Sequence, residues 1–452
     1  MKISNFPTLV LKQQLQTWKK AKGGKKLRGL AQKGIILLAI LVLVLALSGC
    51  GQSDSGKVKL DFMWFSDGNE GEVMKGIIKD YEKEHPNIEI NLIEVAFKDI
   101  KTKLKTMVAG GKPPALTRIN DTGAFVDQSL DLTPYVGDKE KFASQFDESI
   151  KPFYIIGDKI VAAPMDITVN CLYYNKTLFK KAGVTVPQSK DDVWTWEQFE
   201  DALKKVKEKG GARYSLVTDF SGHRWSTMLY EYGGSIFNKD LSKSVINSKE
   251  GVQALTEFVK LHEEGLTPDS VWLGGENPNN LFRSGTVGAH LAGNWMLGSY
   301  KDIHHFDWGV TYLPKEASRG SVPGGKYVMG FKGTGVEKET ADFINYLTSQ
   351  KVNAKYTKES LFMSPRKDNK NLKYDADPQL FKVFNDELDA VSASSTRDWA
   401  NQSVMSVNAG DLTTAIAKAV KHEQTPQEAL DDAAKIFNET IEKNKKAADS
   451  KQ

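Results

Sequence analysis

The chain carries its chemistry-bearing side chains in short clusters, not in a nucleophile or metal motif. Phe65-Ser66-Asp67-Gly68-Asn69-Glu70 sets a ring beside a hydroxyl, an amide and two carboxylates. Ser221-Gly222-His223-Arg224-Trp225 gathers hydrogen-bonding groups around an indole, an unusual set for a simple turn. Both clusters follow strand-like segments, and in open α/β sheets ligands sit beyond the carboxyl ends of strands. Phe65, Asp67, Glu70, His223, Arg224 and Trp225 are therefore candidate binding residues, although Asp67 and Glu70 also read as helix-start acids favoured by the dipole. Turnover chemistry has thinner support. Asp166 with Glu231 is the pair a glycoside-cleaving enzyme would need, facing each other about 5 or 6.5–9.5 Å apart, yet no carboxylate sits in a motif that assigns an acid and a nucleophile. Tyr173-Tyr174 and His304-His305 are adjacent pairs, but Tyr173 and Tyr174, as neighbours on a strand, point to opposite faces and can hardly share one ion. There is no HExxH, no paired-cysteine motif and no Asp-rich calcium loop. Gly330-Phe331-Lys332-Gly333-Thr334-Gly335 lacks the spacing and the following Lys-Ser/Thr of a phosphate loop and reads as a turn. The expectation is a protein that binds without catalysis, metal or cofactor.

The elements that must position these clusters are legible from periodicity. Val58, Leu60, Phe62 and Trp64 alternate with Lys59, Asp61 and Met63, which predicts a strand. Val73, Met74, Ile77, Ile78 and Tyr81 line one face of a helix that stops at His85-Pro86. Ile88, Ile90 and Leu92 alternate again, and Ile100, Leu104, Met107 and Val108 line a helix ending at Gly110-Gly111. Strand, helix, strand, helix implies an open α/β sheet. The same grammar resumes at Thr195-Trp196-Glu197-Gln198, a capping box ahead of Phe199, Leu203 and Val206, with Gly210-Gly211 as its stop. A further helix turns Val252, Leu255, Val259 and His262 inward, and Thr425-Pro426-Gln427-Glu428 opens the last. No repeat or low-complexity segment interrupts the pattern.

Ahead of this body, nine basic residues (Lys2, Lys12, Lys19, Lys20, Lys22, Lys25, Lys26, Arg28, Lys33) and no acidic ones precede an apolar run from Ile35 to Leu47. That charge bias keeps the amino end cytoplasmic, and a run of about 13 residues suits a signal-peptide core while falling short of the ~20 needed to span a bilayer. Leu47-Ser48-Gly49-Cys50 resembles the lipobox of bacterial lipoproteins, in which the cysteine carries lipid and becomes the mature amino terminus. The resemblance implies a leader over 1–49, lipidation of Cys50 and a tether over 50–57. Of 61 basic residues, removing the nine leaves 52 against 57 acidic, so the mature chain carries about −5 although the full chain stands at +4. A mildly acidic body with interspersed lysines has no footprint for nucleic acid. With Cys50 acylated only Cys171 remains, so the fold rests on packing, and roughly 400 residues suffice for two substantial cores.

Tyr173-Tyr174-Asn175-Lys176-Thr177-Leu178-Phe179-Lys180-Lys181-Ala182-Gly183-Val184, then Thr195-Trp196-Glu197-Gln198-Phe199, resembles the extracellular solute-binding proteins of family 1, the maltose-binding-protein-like subunits of carbohydrate ABC importers. Gly251 to Leu255, Glu264 to Pro268, Phe282 to Ala289, Gly293-Asn294-Trp295, Gly324-Gly325 and Ser364-Pro365-Arg366 continue the series in order. The resemblance implies a periplasmic binding protein-like type II fold of two discontinuous α/β lobes joined by a hinge around a ligand cleft. Lobe 1 is expected over 58–165 plus 325–365 and lobe 2 over 168–312 plus 368–452, with crossings at 164–168, 311–326 and 361–371. It also implies a monomer at the extracytoplasmic face of the cell membrane, held by lipid, which delivers a mono- or oligosaccharide to permease subunits driven by a cytoplasmic ATPase. A ligand-sensing lipoprotein for a membrane receptor and a lipid-anchored glycosidase are the alternatives.

A sugar ring offers a C–H face for aromatic packing and a rim of hydroxyls for directional hydrogen bonds. On that chemistry the resemblance implies Trp295 as a stacking platform beside Asn294, Asn120 and Asp121 in a ligand-facing loop, Asp166 at the first crossing, and Arg366. Tyr327, Trp272 and Trp399 read first as packing or interlobe residues. The sequence departs from the maltose-binding pattern at Phe65-Ser66-Asp67 and at Ala409, where no tryptophan aligns, so the identity of the sugar stays open.

Overall fold

The computed structural model describes residues 56–450. The expected leader, the lipid-bearing Cys50 and the tether up to residue 55 lie outside the described residues.

Strand β1 (Val58–Trp64) pairs in parallel with β2 (Ile88–Glu94) along its whole length and with β3 (Leu116–Ile119) at its carboxyl end. Strict alternation predicts one wet face, yet Phe62, Met63 and Trp64 are all buried, because the end of a central strand is covered on both sides. Helix Glu70–Glu84 buries Val73, Met74, Ile77, Ile78 and Tyr81, the face read from the periodicity, and stops at His85 because Pro86 excludes a further turn. Helix Phe97–Ala109 follows, with Ile100 and Leu104 inward.

A short hairpin, β4 (Ile155–Ile156) and β5 (Lys159–Ile160), leads to β6 (Ala163–Thr168). One residue later β7 (Asn170–Asn175) begins a second sheet with β8 (Tyr214–Thr218), β9 (Val287–Gly293) and β10 (Trp308–Thr311). Strand β11 (Gly324–Gly330) then returns to the first sheet between β3 and β6, antiparallel to both. The orders are β2-β1-β3-β11-β6 and β10-β7-β9-β8, with β8 and β9 parallel and the other pairs of the second sheet antiparallel. Each sheet is therefore assembled from separate stretches of chain. Ala163–Thr168 is a strand of the first sheet throughout, so the passage falls at Val169, just beyond 164–168. The third passage follows helix Gln350–Ser360 and a bridge from Met363 to Ile167, before helix Pro378–Leu388 packs on β7 and β10.

The capping boxes expected at Thr195 with Gln198 and at Thr425 with Glu428 are both formed. Tyr173 and Tyr174 point to opposite sides, Tyr173 edge-on to Tyr300 at 5.0 Å and Tyr174 against Phe179 at 5.3 Å. Among the described residues no helix is long and apolar enough to cross a membrane.

Candidate ligand-binding cleft

Between the two sheets lies a cleft of about 1110 Å³. Its walls come from loops beyond the carboxyl ends of the parallel strands: Asp67 after β1, Phe97 after β2, Asn120 and Asp121 after β3, Asp219 to Arg224 after β8, and Trp295 after β9. The second sheet adds Glu276, Asn277, Asn279 and, from its helical layer, Trp399, Gln402, Met405, Ser406 and Ala409, while Phe153, Lys326 and Tyr327 complete the first-sheet side. Ala409 stands on this wall, so the absence of an indole there leaves space in the cleft.

Arg118, in the middle of the four-residue β3, organises the first-sheet wall. It is fully buried, with one terminal nitrogen 2.6 Å from the Phe65 carbonyl and 3.0 Å from Glu70 Oε1, and the other 3.4 Å from Asp166 Oδ2 and 3.5 Å from Asp67 Oδ2. Its plane also lies over Phe65 at 4.5 Å and Trp64 at 5.0 Å. Burial opposes the charge, but Tyr356 and the Glu70, Asp67 and Asp166 carboxylates outweigh it and raise the proton affinity of the guanidinium. Glu70 further accepts from the backbone N–H groups of Asp67 and Gly68, closing the loop on itself. Burial pushes the Asp166 carboxyl above the usual range against the pull of Lys326 and Arg118.

On the opposite wall the indole of Trp295 is packed by cations, Arg224 at 4.5 Å and Lys326 at 5.1 Å from the ring centre. Each cation has its own acid: Arg224 Nε donates to Asp219 at 3.2 Å, and Lys326 lies 3.5 Å from Asp67. Around the indole the charges are thus paired and present donors and acceptors to the cleft. Asp219 also faces His290 Nε2 at 3.3 Å, whose Nδ1 meets the Tyr300 hydroxyl at 2.7 Å. Burial would raise Asp219, but His290 and Arg224 together hold its carboxyl below the usual range. His223 packs on Trp399 at 4.5 Å and is pushed down to about 3 by burial and by Arg224, so it is a neutral ring at physiological pH. Gly293 makes the platform possible, because a Cβ there would stand 1.8 Å from Trp295 Cζ3.

The two sides touch at one edge of the cleft. Lys101 Nζ donates to Asp121 Oδ2 at 2.6 Å and to the Ser406 carbonyl at 2.9 Å, Ser406 Oγ donates to Asp121 Oδ1 at 2.5 Å, and Thr122 Oγ1 donates to Gln402 at 2.8 Å.

Of the residues singled out from the sequence, Asp67, Asn120, Asp121, His223, Arg224 and Trp295 stand on the cleft wall. Phe65, Glu70 and Asp166 do not, since Arg118 draws all three into the interior behind it. Trp225 lies on the buried stripe of helix Gly222–Glu231 with Gly222, Ser226 and Leu229, one helical step past the first-turn residues that face the cleft. Asn294 is buried, its Oδ1 accepting from Val169 N at 3.0 Å and its Nδ2 donating to Ile167 O at 3.1 Å, so it pins the first passage between sheets. Arg366 is taken up by Asp368, Gln145 and the Thr348 carbonyl, away from the cleft. Asp166 and Glu231 are both absent from the wall, and Glu231 accepts from Trp196 Nε1 at 2.8 Å. Sequence reading missed Asp219, Phe220, Lys326 and Gln402 and placed Trp399 in packing. Asp219 and Phe220 carried a usable signal, since they directly follow β8.

Residues 76–382 match the family model described as bacterial extracellular solute-binding protein. The chain is 27% identical over 342 residues to the multiple sugar-binding protein of Streptococcus mutans, covering 72% of this chain and 79% of that one. It is 26% identical over 285 residues to the lactose-binding protein of Rhizobium radiobacter, covering 60% and 66%. Its fold is that of an ABC substrate-binding protein of Listeria monocytogenes solved with cycloalternan (TM-score 0.76, 24% identity, covering 85% of this chain and 99% of that one) and of the GacH receptor of Streptomyces glaucescens (TM-score 0.73, 21% identity, covering 85% and 99%). The matched span exceeds half the chain, and the chain belongs to the bacterial extracellular solute-binding proteins, a family of binding proteins that act outside the cytoplasm.

Proposed function

We propose that this protein is the capture subunit of an ABC importer, that it takes an oligosaccharide between its lobes, and that it presents the closed form to membrane permeases. The observation that carries the reading is the composition of the cleft: a partly exposed Trp295 indole faces a space of about 1110 Å³ in which Arg224 is paired with Asp219 and Lys326 with Asp67, leaving only Lys98 and Glu276, of opposite sign, without an ion pair among the described residues. An indole takes the C–H face of a pyranose, and the surrounding carboxylates, amides and guanidinium take its hydroxyls. Unpaired charge would favour an ionic ligand; paired charge suits a neutral polyol. The volume lies just above the ~300–1,000 Å³ typical of small-molecule sites, which fits more than one sugar ring. Sugar-binding relatives in the same family support the same class of ligand.

The three passages between sheets act as the hinge, joining a lobe built on the first sheet, which includes β6 up to Thr168, to a lobe built on the second, which begins with β7 at Asn170. A ligand touching both lobes favours closure because only differential affinity shifts an open–closed equilibrium, and the Lys101–Asp121–Ser406 contact is made as the lobes meet. Acylated Cys50 holds a monomer at the outer face of the membrane. The cleft works by binding, without catalysis.

A thermal-shift screen of the wild type against glucose-, mannose-, galactose- and xylose-based mono- and oligosaccharides tests the proposal, since a ligand held only by the folded state raises the melting temperature. For the sugar that binds, Trp295→Ala should weaken affinity about 10–100-fold through lost ring packing, ~1.4–2.8 kcal/mol, with the unliganded melting temperature little changed. An unaltered dissociation constant would remove the indole from the site.

A further inference from the structure

The mouth of the cleft holds a second ring that neither the sequence motifs nor the Trp295 platform accounts for. Phe220 is 48% exposed, yet it lines the cleft and is buttressed edge-on by the buried Trp272 at 5.4 Å, whose Nε1 is anchored to Thr218 at 3.2 Å. An exposed phenyl on a rigid support costs solvation without serving the core, and Phe220 lines the cleft together with polar groups. Those groups come from the loop that follows Trp272. Gly275 N and Glu276 N both donate to the Ser270 carbonyl, at 2.7 and 3.2 Å, and Ser270 Oγ donates to Glu276 Oε2, so the loop is closed on itself. Asn277 fixes its far end by accepting from Asn280 N at 3.1 Å. Among the described residues this leaves Glu276 Oε1 uncommitted, and Asn279 Oδ1 is occluded without a hydrogen-bond partner. Glu276, Asn277 and Asn279 all line the same cleft.

We infer that Phe220 with Glu276 and Asn279 forms an outer subsite for a second sugar ring of the same ligand. The preferred ligand is then an oligosaccharide extending from Trp295 to the mouth, and a monosaccharide fills only part of the site. The inference rests on the saccharide reading and deepens it: a ring supported by Trp272 offers a fixed apolar face, and a pre-closed loop offers acceptors whose ordering cost has been met before binding.

Calorimetric titration of the full folded chain against the one-to-six-residue ladder of whichever sugar gives the largest shift in the screen tests it. In the wild type, affinity should rise about tenfold or more from the shortest binding member to the longer ones and then level off. Phe220→Ala should abolish that gain while leaving the shortest member within about twofold, and Glu276→Gln should weaken only the longer members; Trp295→Ala should weaken all of them. Phe220 is exposed, so its melting temperature should match the wild type. Saccharide binding with no dependence on length, or a Phe220→Ala loss equal at every length, overturns the outer subsite and leaves the saccharide reading standing. No binding to any ladder overturns both.

Discussion

Replacing Arg118 by Met tests whether a buried charge cluster holds the ligand-facing loop in place. The guanidinium serves a carbonyl and three carboxylates at 2.6–3.5 Å, and Arg118, Glu70 and Asp166 are all inaccessible to solvent. Removing one partner of a buried ion pair costs about 3–5 kcal/mol because the other is left uncompensated. Compensation here is uneven. Glu70 keeps two backbone donors and Asp67 keeps Lys326 at 3.5 Å, whereas Asp166 retains one hydrogen bond, from Lys326 N at 3.1 Å, and the more distant pull of the Lys326 ammonium. A loss within that ~3–5 kcal/mol range at pH 7 follows. Arg118→Lys should recover only part of it, since one ammonium cannot fill the fork that meets Phe65, Glu70 and Asp166 together. Urea unfolding read by circular dichroism gives the free energies by linear extrapolation. The pH dependence carries the diagnosis. Stranded carboxylates in Arg118→Met bind protons more tightly when folded, so the deficit should be largest near pH 7 and shrink towards pH 4.5. A deficit below about 1 kcal/mol, or one constant across that range, would refute the electrostatic argument and reduce Arg118 to a space-filler.

Gly293→Ala should displace the Trp295 indole, because the added methyl would occupy ring space at 1.8 Å, and the result should be a change in tryptophan emission and an affinity loss approaching that of Trp295→Ala. Glu387 is buried and pushed up to about 7 by that burial, with Arg319 opposing. Its folded state therefore holds a proton that the unfolded state releases near 4.5, so its contribution is full at low pH and declines as pH rises through 7. Its share of the fall is at most about 3 kcal/mol, and Glu387→Gln should flatten the slope of unfolding free energy between pH 4.5 and 7. His223 works in the opposite sense. Held at about 3 when folded, it makes stability decline as pH falls from about 6.5, and His223→Gln should reduce the loss measured between pH 6.5 and 4.

Much of the scaffold was readable before any coordinates because helices and strands write their buried faces into local spacing. The stripe from Val73 to Tyr81, the alternation from Val58, and the reciprocal hydrogen bonds at Thr195 and Thr425 each depend on residues within a few positions of one another. The loops beyond β1 and β8 followed from the same logic, and with them Asp67, His223 and Arg224, whereas Asp121 and Trp295 came from the family resemblance. Local spacing says nothing about which distant group will claim a side chain. Phe65, Glu70 and Asp166 look like ligand contacts until Arg118, on a strand too short to show a period, draws them inward. Asn294 looks like Trp295's partner until two backbone groups of the passage at Val169 claim it. Lys326, Trp399 and Gln402 reach the cleft from elements distant in the chain, and their place depends on how two sheets interleaved along the sequence come to face each other. Periodicity assigns a residue to a face; the long-range pairing of buried charges and backbone groups decides whether that face meets ligand or interior.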